Sequence, residues 1–430
     1  MAAKFLFVSY EGLIADTAWR VVKEGHEAKL AIQSAEGQDI ADGFVPKVAD
    51  WRSALDWAEV VVFDDVLGGM GAMAEELRAA GKPVIGGSPY SDRLEEDRAF
   101  GQQELKAAGV AIIPQENFTS FDEAMAFVQA NPTRYVLKPS GEAQNEKRLL
   151  FVGEEEDGRD VIQVLQDYKQ HLADRVKEFQ LQRRIVGVEV AVCAFFNGRE
   201  FLSPICVNFE HKKLFPGDIG PSTGEMGTTM FWSEPNRLFN ATLKKMEPRL
   251  AQARYAGSID INCIVNANGI YPLEFTARFG YPAINIQQEG LLTPIGELLH
   301  RLADGTLTRL RARSGFQVGV RVVVPPFPYR DMETFESTSK GSVILFKTPS
   351  REGVHIEEIK LAGDEWRIAG ASGVALVVCG TGPTMKQAQR QAYNRVRNVM
   401  IPYMYYRDDI GERWSEDSDR LHAWGYLREA

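Results

Sequence analysis

No run of about 18 apolar residues occurs in this 430-residue chain, which argues against a membrane-spanning helix. The opening MAAKFLFVSYEG enters a strand-like run without a signal-peptide pattern, so a cytoplasmic protein is expected. The four cysteines (Cys193, Cys206, Cys263, Cys379) form no CxxC pair and sit mostly among apolar neighbours, which reads as buried reduced thiols. The six histidines show no HExxH or similar spacing, which argues against a zinc site. There is no Lys/Arg run, and the net charge of −10 disfavours nucleic acid as a partner while leaving room for a local basic pocket. No GxGxxG follows the first strand-like run, so a dinucleotide site is not expected. Neither an internal repeat nor a low-complexity tract is present.

What is present is an ordinary soluble composition, 44% hydrophobic and 25% charged. The length is too great for one core, so roughly two to four domains are expected. Apolar runs at Lys4–Ser9, Ala28–Ile32, Val60–Phe63 and Val84–Ile85 alternate with helical spacing at Ala15–Glu24 and Ala72–Ala80. This pattern predicts a parallel sheet with ligand-bearing loops at Ser9–Gly12 and Asp64–Gly71. Leu94–Ala108 reads as one amphipathic helix, and Ser120–Gln129 as another capped at Ser120 or Thr119. Tyr135–Lys138 is a strand delivering Lys138 to the mouth of a Pro-Ser-Gly turn, where a phosphate contact is credible beside the plainer reading of a solvated strand end. Glu178–Gln182, Glu189–Phe196 and Ile205–Phe209 are further strands, and Ala241–Ala253 and Leu291–Ala303 further helices. Ser258–Val265 and Ile270–Phe275 form a hairpin whose alternation sets Asp260 and Asn262 on one face, turned towards Glu274. After Arg313 the chain turns β-rich, with strands at Val318–Val324, Ser342–Phe346, His355–Ile359 and Val374–Val378 and a helix at Thr384–Val399.

The stretch around which the chain is organised runs from Glu210 to Phe279. Its first piece, EHKKLFPGDIGPSTGEMG (Glu210–Gly227), is a Gly/Pro-rich loop whose backbone amides suit an anionic group. Its second, PLEFTARFG (Pro272–Gly280), is a strand delivering the carboxylate of Glu274 and then the cation of Arg278. That pairing suits a metal–phosphate and an acidic ligand.

On these motifs the chain resembles the glycinamide ribonucleotide synthetase (phosphoribosylamine–glycine ligase) family of the ATP-grasp superfamily. The family's DHKR…GDTGPNTGGMG is mirrored at Glu210–Lys213 and Gly217–Gly227, its IEFNCRFGDPE at Leu273–Pro282, and its terminal YRRDIG at Tyr406–Gly411. Three matches in order make the likeness specific. It implies a mixed α/β and α+β multidomain ATP-grasp protein, with an N-terminal open parallel α/β domain (1–115), an ATP lid (116–190), a central ATP-grasp domain (191–314) and a C-terminal β-rich domain (315–430). The activity it implies is ATP-dependent joining of a carboxylate to an amine through an acyl phosphate, a step of purine biosynthesis. The small-molecule partners are ATP, glycine and an amine such as phosphoribosylamine, and the protein is expected as a monomer or homodimer.

By the same resemblance, Lys138 and Arg98 hold ATP phosphates, Glu189 the ribose, and Gln182, Arg184 and Ile185 the adenine. Glu274 binds Mg2+, with Mn2+ as an alternative, aided by Asp260, Asn262 and Thr276. Arg278 and Asp218 act at the reacting centre, and Lys213, Gly220, Pro221, Ser222, Thr223 and Gly224 hold the substrates.

Four departures from the family bear on substrate choice. Tyr10 and Glu11 stand in a loop where the family has small residues receiving phosphoribosylamine, and they crowd or repel a phosphate. The lid loop Pro139–Leu149 carries one glycine, with Lys147 and Arg148. Thr276 replaces an asparagine, and Glu225 replaces a glycine, adding an acid that repels a carboxylate or grips an amine. Two other readings stand beside the ligase: a nucleotide-binding paralogue that has lost ligation, suggested by the lid and Thr276, and a peptide or amino-acid ligase, disfavoured by the YYRDDIG terminus.

Overall fold

A computed structural model describes residues 2–428 except 142, 144, 145, 147 and 148; the lid-loop residues Lys147 and Arg148 lie outside the described residues. The chain forms three main sheets. The first is parallel, in the order Glu27–Ile32, Lys4–Ser9, Val60–Phe63, Val84–Ile85. Its central strand Val60–Phe63 is buried throughout, as expected of a strand covered on both faces.

The second sheet is antiparallel, in the order Gln115–Phe118, Phe179–Arg183, Tyr135–Pro139, Phe151–Val152. Helices Phe121–Ala130 and Arg159–His171 cover it through a separate apolar cluster that includes Val128, Leu137, Leu165 and Leu181. Phe121 stacks on Phe179 with ring centroids 4.9 Å apart. Ser120 supplies the N-cap, accepting from the Glu123 amide.

The third sheet has eight antiparallel strands, beginning at the edge with Gly269–Thr276, then Ala256–Asn266, Val188–Asn197, Ile205–Glu210, Gly227–Ser233, Phe316–Val323, Val374–Gly382 and Val354–Ile356. It therefore runs through residue 314: Phe316–Val323 pairs directly with Gly227–Ser233. A small four-stranded sheet, Ile359–Ala362, Glu365–Ile368, Val343–Phe346 and Val399–Met400, completes the C-terminal part. All four cysteines are buried and unpaired. No helix among the described residues is long and apolar enough to cross a membrane.

Several expected elements differ. Leu94–Ala108 is two helices, Pro89–Glu96 and Arg98–Ala107; Asp97 lies between them with extended ψ and caps the second by accepting from the Phe100 amide. Ala241–Ala253 breaks into short turns around Thr242. Helix Ala283–Gly290, nearly all buried and so without an amphipathic signature, precedes Ile295–Ala303 where one helix from Leu291 is expected. His355–Ile359 is split between two sheets.

Candidate active site

One face of the eight-stranded sheet collects the polar residues, and register explains why. Asp260 pairs with Thr276 and Asn262 with Glu274 across the edge hairpin. On its other side the same strand sets Ile264 opposite Glu189 and Asn262 opposite Ala191. Alternation therefore turns Glu189, Asp260, Asn262, Glu274 and Thr276 to one side. The next strand adds Glu210, two residues past Asn208, which pairs with Ala191. Pro272 lacks the amide needed for ladder pairing, sits on the edge strand, and accompanies a register shift between Asn262 and Cys263.

The lid sheet faces this surface across a cavity of about 580 Å3. Lys138 and Arg98 line it from the lid side and Glu274, Asn262 and Asp260 from the sheet side. Gln182, Arg184, Ile185, Glu189, Ser222, Thr223 and Gly224 line it as well. Lys138 is only 8% exposed and forms no ion pair with a described residue. Burial, and then the neighbouring Arg98 guanidinium, lowers its pKa to about 8. A buried lysine next to an arginine is a site prepared for an anion. The Arg184 side chain turns away to the Gly153 carbonyl at 2.8 Å, so its place in the cavity wall is that of the strand end. Gln182 donates to Gln115 Oε1 at 3.3 Å.

Lys212 is a residue the sequence reading named only within its motif. Its ammonium lies 2.8 Å from Glu189, 3.3 Å from Glu210 and 3.9 Å from Glu274. Burial opposes its charge, but these carboxylates, Glu210 foremost, outweigh burial and hold its pKa well above the ordinary value. It ties together acids that would otherwise repel one another.

The fit of a hard dication can be judged from the donors. Asn262 Nδ2 donates to Glu210 Oε2 at 2.9 Å, which leaves Asn262 Oδ1 buried with no hydrogen-bond partner beside Glu274. An orphaned amide oxygen next to a carboxylate suits Mg2+. Thr276 faces Asp260 across the hairpin, and burial pushes the Asp260 carboxyl well above its usual range. Glu274 and Asn262 are the pair whose donors fit such an ion, and Asp260 and Thr276 line the same cavity.

The glycine-rich loop is a hairpin, Lys213–Phe215 with Ile219–Ser222, and not a bare coil. Its tip has left-handed residues at Gly217, Asp218 and Gly220, with φ of 73°, 56° and 82°. Asp218, expected at the reacting centre, turns away from the cavity: Oδ1 accepts from Arg407 at 2.9 Å and Oδ2 from Arg413 at 2.6 Å. The Lys213 carbonyl accepts from Arg407 as well, at 2.9 Å. Lys213, Gly220 and Pro221 likewise do not line the cavity, whereas Ser222, Thr223 and Gly224 do.

Arg278 borders both this cavity and an adjoining one of about 540 Å3. Its Nη2 lies 3.0 Å from Glu95 and its Nε 3.6 Å from Asp65. Glu95 also accepts from the Ala277 amide at 2.7 Å. The adjoining cavity is acidic, since Glu11 and Glu96 line it as well. The N-terminal loop closes on itself there: Ser9 Oγ donates to Asp64 at 2.6 Å and accepts from the Gly12 amide at 2.8 Å. Asp65 lies in the loop Asp64–Gly71 that the strand pattern marks for a ligand, whereas nothing in the sequence singles out Glu95.

The arrangement is a cavity between a lid and a sheet, lined by Lys138 and Arg98 and by the oxygen-bearing side chains of Glu274 and Asn262. Residues 96–284 match the family described as phosphoribosylglycinamide synthetase, ATP-grasp (A) domain. The phosphoribosylamine–glycine ligase of Streptomyces coelicolor is 27% identical over 366 residues, covering 83% of this chain and 84% of that protein. That of Halalkalibacterium halodurans is 24% identical over 356 residues, covering 80% of each. Among solved structures, the phosphoribosylamine–glycine ligase of Thermotoga maritima superposes with a TM-score of 0.71 at 21% identity, covering 95% of this chain and 100% of that one. The biotin carboxylase domain of Hydrogenobacter thermophilus 2-oxoglutarate carboxylase, a complex with MgADP, gives 0.65 at 13% identity with full coverage of both. Fold and site define an ATP-grasp protein. Within that class the chain is similar, over about four-fifths of its length, to the phosphoribosylamine–glycine ligases.

Proposed function

We propose that this protein is an ATP-dependent carboxylate–amine ligase that activates a small amino acid, glycine in the first instance, and joins it to an amine. The observation that carries this reading is the single cavity in which Lys138 and Arg98 oppose Glu274 and Asn262. Lys138 and Arg98 hold the ATP phosphates, and Gln182, Ile185 and Glu189 take the nucleoside end. Glu274 and Asn262 hold Mg2+, which supplies charge neutralisation at the phosphates when bound; Mn2+, with the same preference for oxygen, is the natural substitute. A substrate carboxylate oxygen attacks the γ-phosphorus and ADP leaves. The amine nitrogen then attacks the acyl phosphate carbonyl, losing a proton as phosphate departs and the amide forms. The chain's part is to position these groups and offset their charge.

The adjoining acidic cavity is the place for the amine. Its relatives are named for phosphoribosylamine. Here Glu11, Asp65 and Glu95 surround that space, and Arg278 is already engaged by two of them. We read this as a changed amine preference. The test is ADP release with Mg2+, ATP and glycine, with phosphoribosylamine or with phosphate-free primary amines. Turnover that requires glycine and an amine together supports the ligase. ATP binding without turnover under any pairing overturns it.

A further inference from the structure

The loop that ends in Ser222–Gly224 carries Glu225, a residue of the cavity wall that is only 5% exposed. Its Oε1 is buried with no hydrogen-bond partner. No cation of the described chain forms an ion pair with its carboxyl. Arg321, the nearest candidate, is taken up by Glu357 through bonds of 3.0 and 2.6 Å, and its remaining contact here is with the Glu225 carbonyl at 3.0 Å. Lys212 is engaged by Glu189 and Glu210. Burial and the Glu210 carboxylate push the Glu225 carboxyl well above its usual pKa, a cost that an incoming cation would relieve.

We propose that Glu225 is the anchor for the ammonium group of the substrate whose carboxylate is activated, making this site selective for α-amino acids over other small carboxylates. This rests on the ligase reading given above. The ammonium belongs to the carboxylate substrate because an amine gripped by an acid has no free lone pair and cannot be the nucleophile. In an α-amino acid the ammonium and carboxylate are one carbon apart. Held at Glu225, the acid therefore keeps its carboxylate within the same cavity that Lys138, Lys212 and Glu274 line. Keeping that amine protonated also stops it from attacking a second activated molecule.

The experiment is calorimetric titration of glycine and of glycolate, which has a hydroxyl in place of the ammonium, into the full chain with Mg2+ and ADP. Wild type, Glu225→Gln and Glu225→Gly are compared, with circular dichroism and ADP affinity as controls for folding. Wild type is expected to bind glycine about tenfold or more tightly than glycolate, and both variants to lose that preference while keeping ADP affinity. Equal binding of the two acids by wild type, no binding of glycine, or a preference that survives both substitutions overturns the proposal. Should a variant fail to fold, the wild-type comparison of the two acids still decides. A protein that turns over ATP with glycine yet does not discriminate glycolate keeps the ligase and loses the anchor. One that discriminates through Glu225 yet never releases ADP keeps the anchor and loses the ligase.

Discussion

Arg407, with no exposed surface, clamps Asp218 from 189 residues away, Nη1 to Oδ1 at 2.9 Å. The same guanidinium donates to both oxygens of Asp409, at 2.8 and 2.7 Å, and Asp409 in turn accepts from the Gly217 amide. The C-terminal Tyr-Arg-Asp-Asp-Ile-Gly segment is thus a brace that holds the glycine-rich loop in shape. Arg407→Ala should leave Asp409 without its guanidinium and Asp218 with Arg413 alone, and cost about 3 kcal/mol in urea unfolding. Arg407→Lys should recover little, because a point charge cannot make the fork. A loss under 1 kcal/mol in either variant would mean that the brace contributes little.

Lys138 titrates near pH 8 in the free protein, so its charge falls away as pH rises past that value. Nucleotide phosphates favour the charged form, so ATP should bind more weakly at pH 9 than at pH 7, with proton uptake at the higher pH. Lys138→Arg keeps its charge and should flatten the profile; Lys138→Met should weaken binding at both pH values. ATP titrations in buffers of different ionisation enthalpy separate these cases.

For the metal, Glu274→Gln and Asn262→Ala should weaken Mg2+-dependent nucleotide binding while leaving binding in EDTA nearly unchanged. Mn2+ electron paramagnetic resonance reads the loss directly. Wild-type Mn2+ affinity in both variants would remove Glu274 and Asn262 from the metal site.

A buried ionic group joins the first helix to the C-terminal strands. His355 Nδ1 lies 2.7 Å from Asp16 and Nε2 3.3 Å from Glu289. Burial opposes the imidazolium, but Asp16 outweighs it and holds the pKa of His355 well above the ordinary value. Burial also opposes the Asp16 carboxylate, and His355 outweighs it and holds that pKa down. The raised histidine stabilises fully below its unfolded pKa of about 6.5 and loses this as pH climbs through its folded value. The lowered aspartate stabilises above about pH 4 and loses this on acidification. Stability should therefore peak between these limits, and His355→Gln should cost about 3 kcal/mol at pH 6 and less at high pH. Denaturant midpoints across pH check it; a constant difference would contradict it.

What could be read ahead of the structure was local. The hairpin that turns Asp260, Asn262 and Glu274 to one side follows from alternation and a turn, and Lys138 at a strand end before a breaker marks its own position. What could not be read was pairing at long range. Nothing near Asp218 in the chain announces Arg407 and Arg413, the two guanidinium groups that pair with its carboxylate. The link from Lys212 to three carboxylates depends on three strands lying side by side. The continuity of the large sheet past residue 314 depends on Phe316–Val323 choosing Gly227–Ser233 as partner, which neither composition nor periodicity encodes.

The central claim is activation of a carboxylate by direct attack on ATP. The most direct measurement is turnover with glycine labelled by oxygen-18 in its carboxylate, followed by mass analysis of the phosphate released. An acyl phosphate route predicts one labelled oxygen transferred to each phosphate. ADP formation with unlabelled phosphate would contradict it.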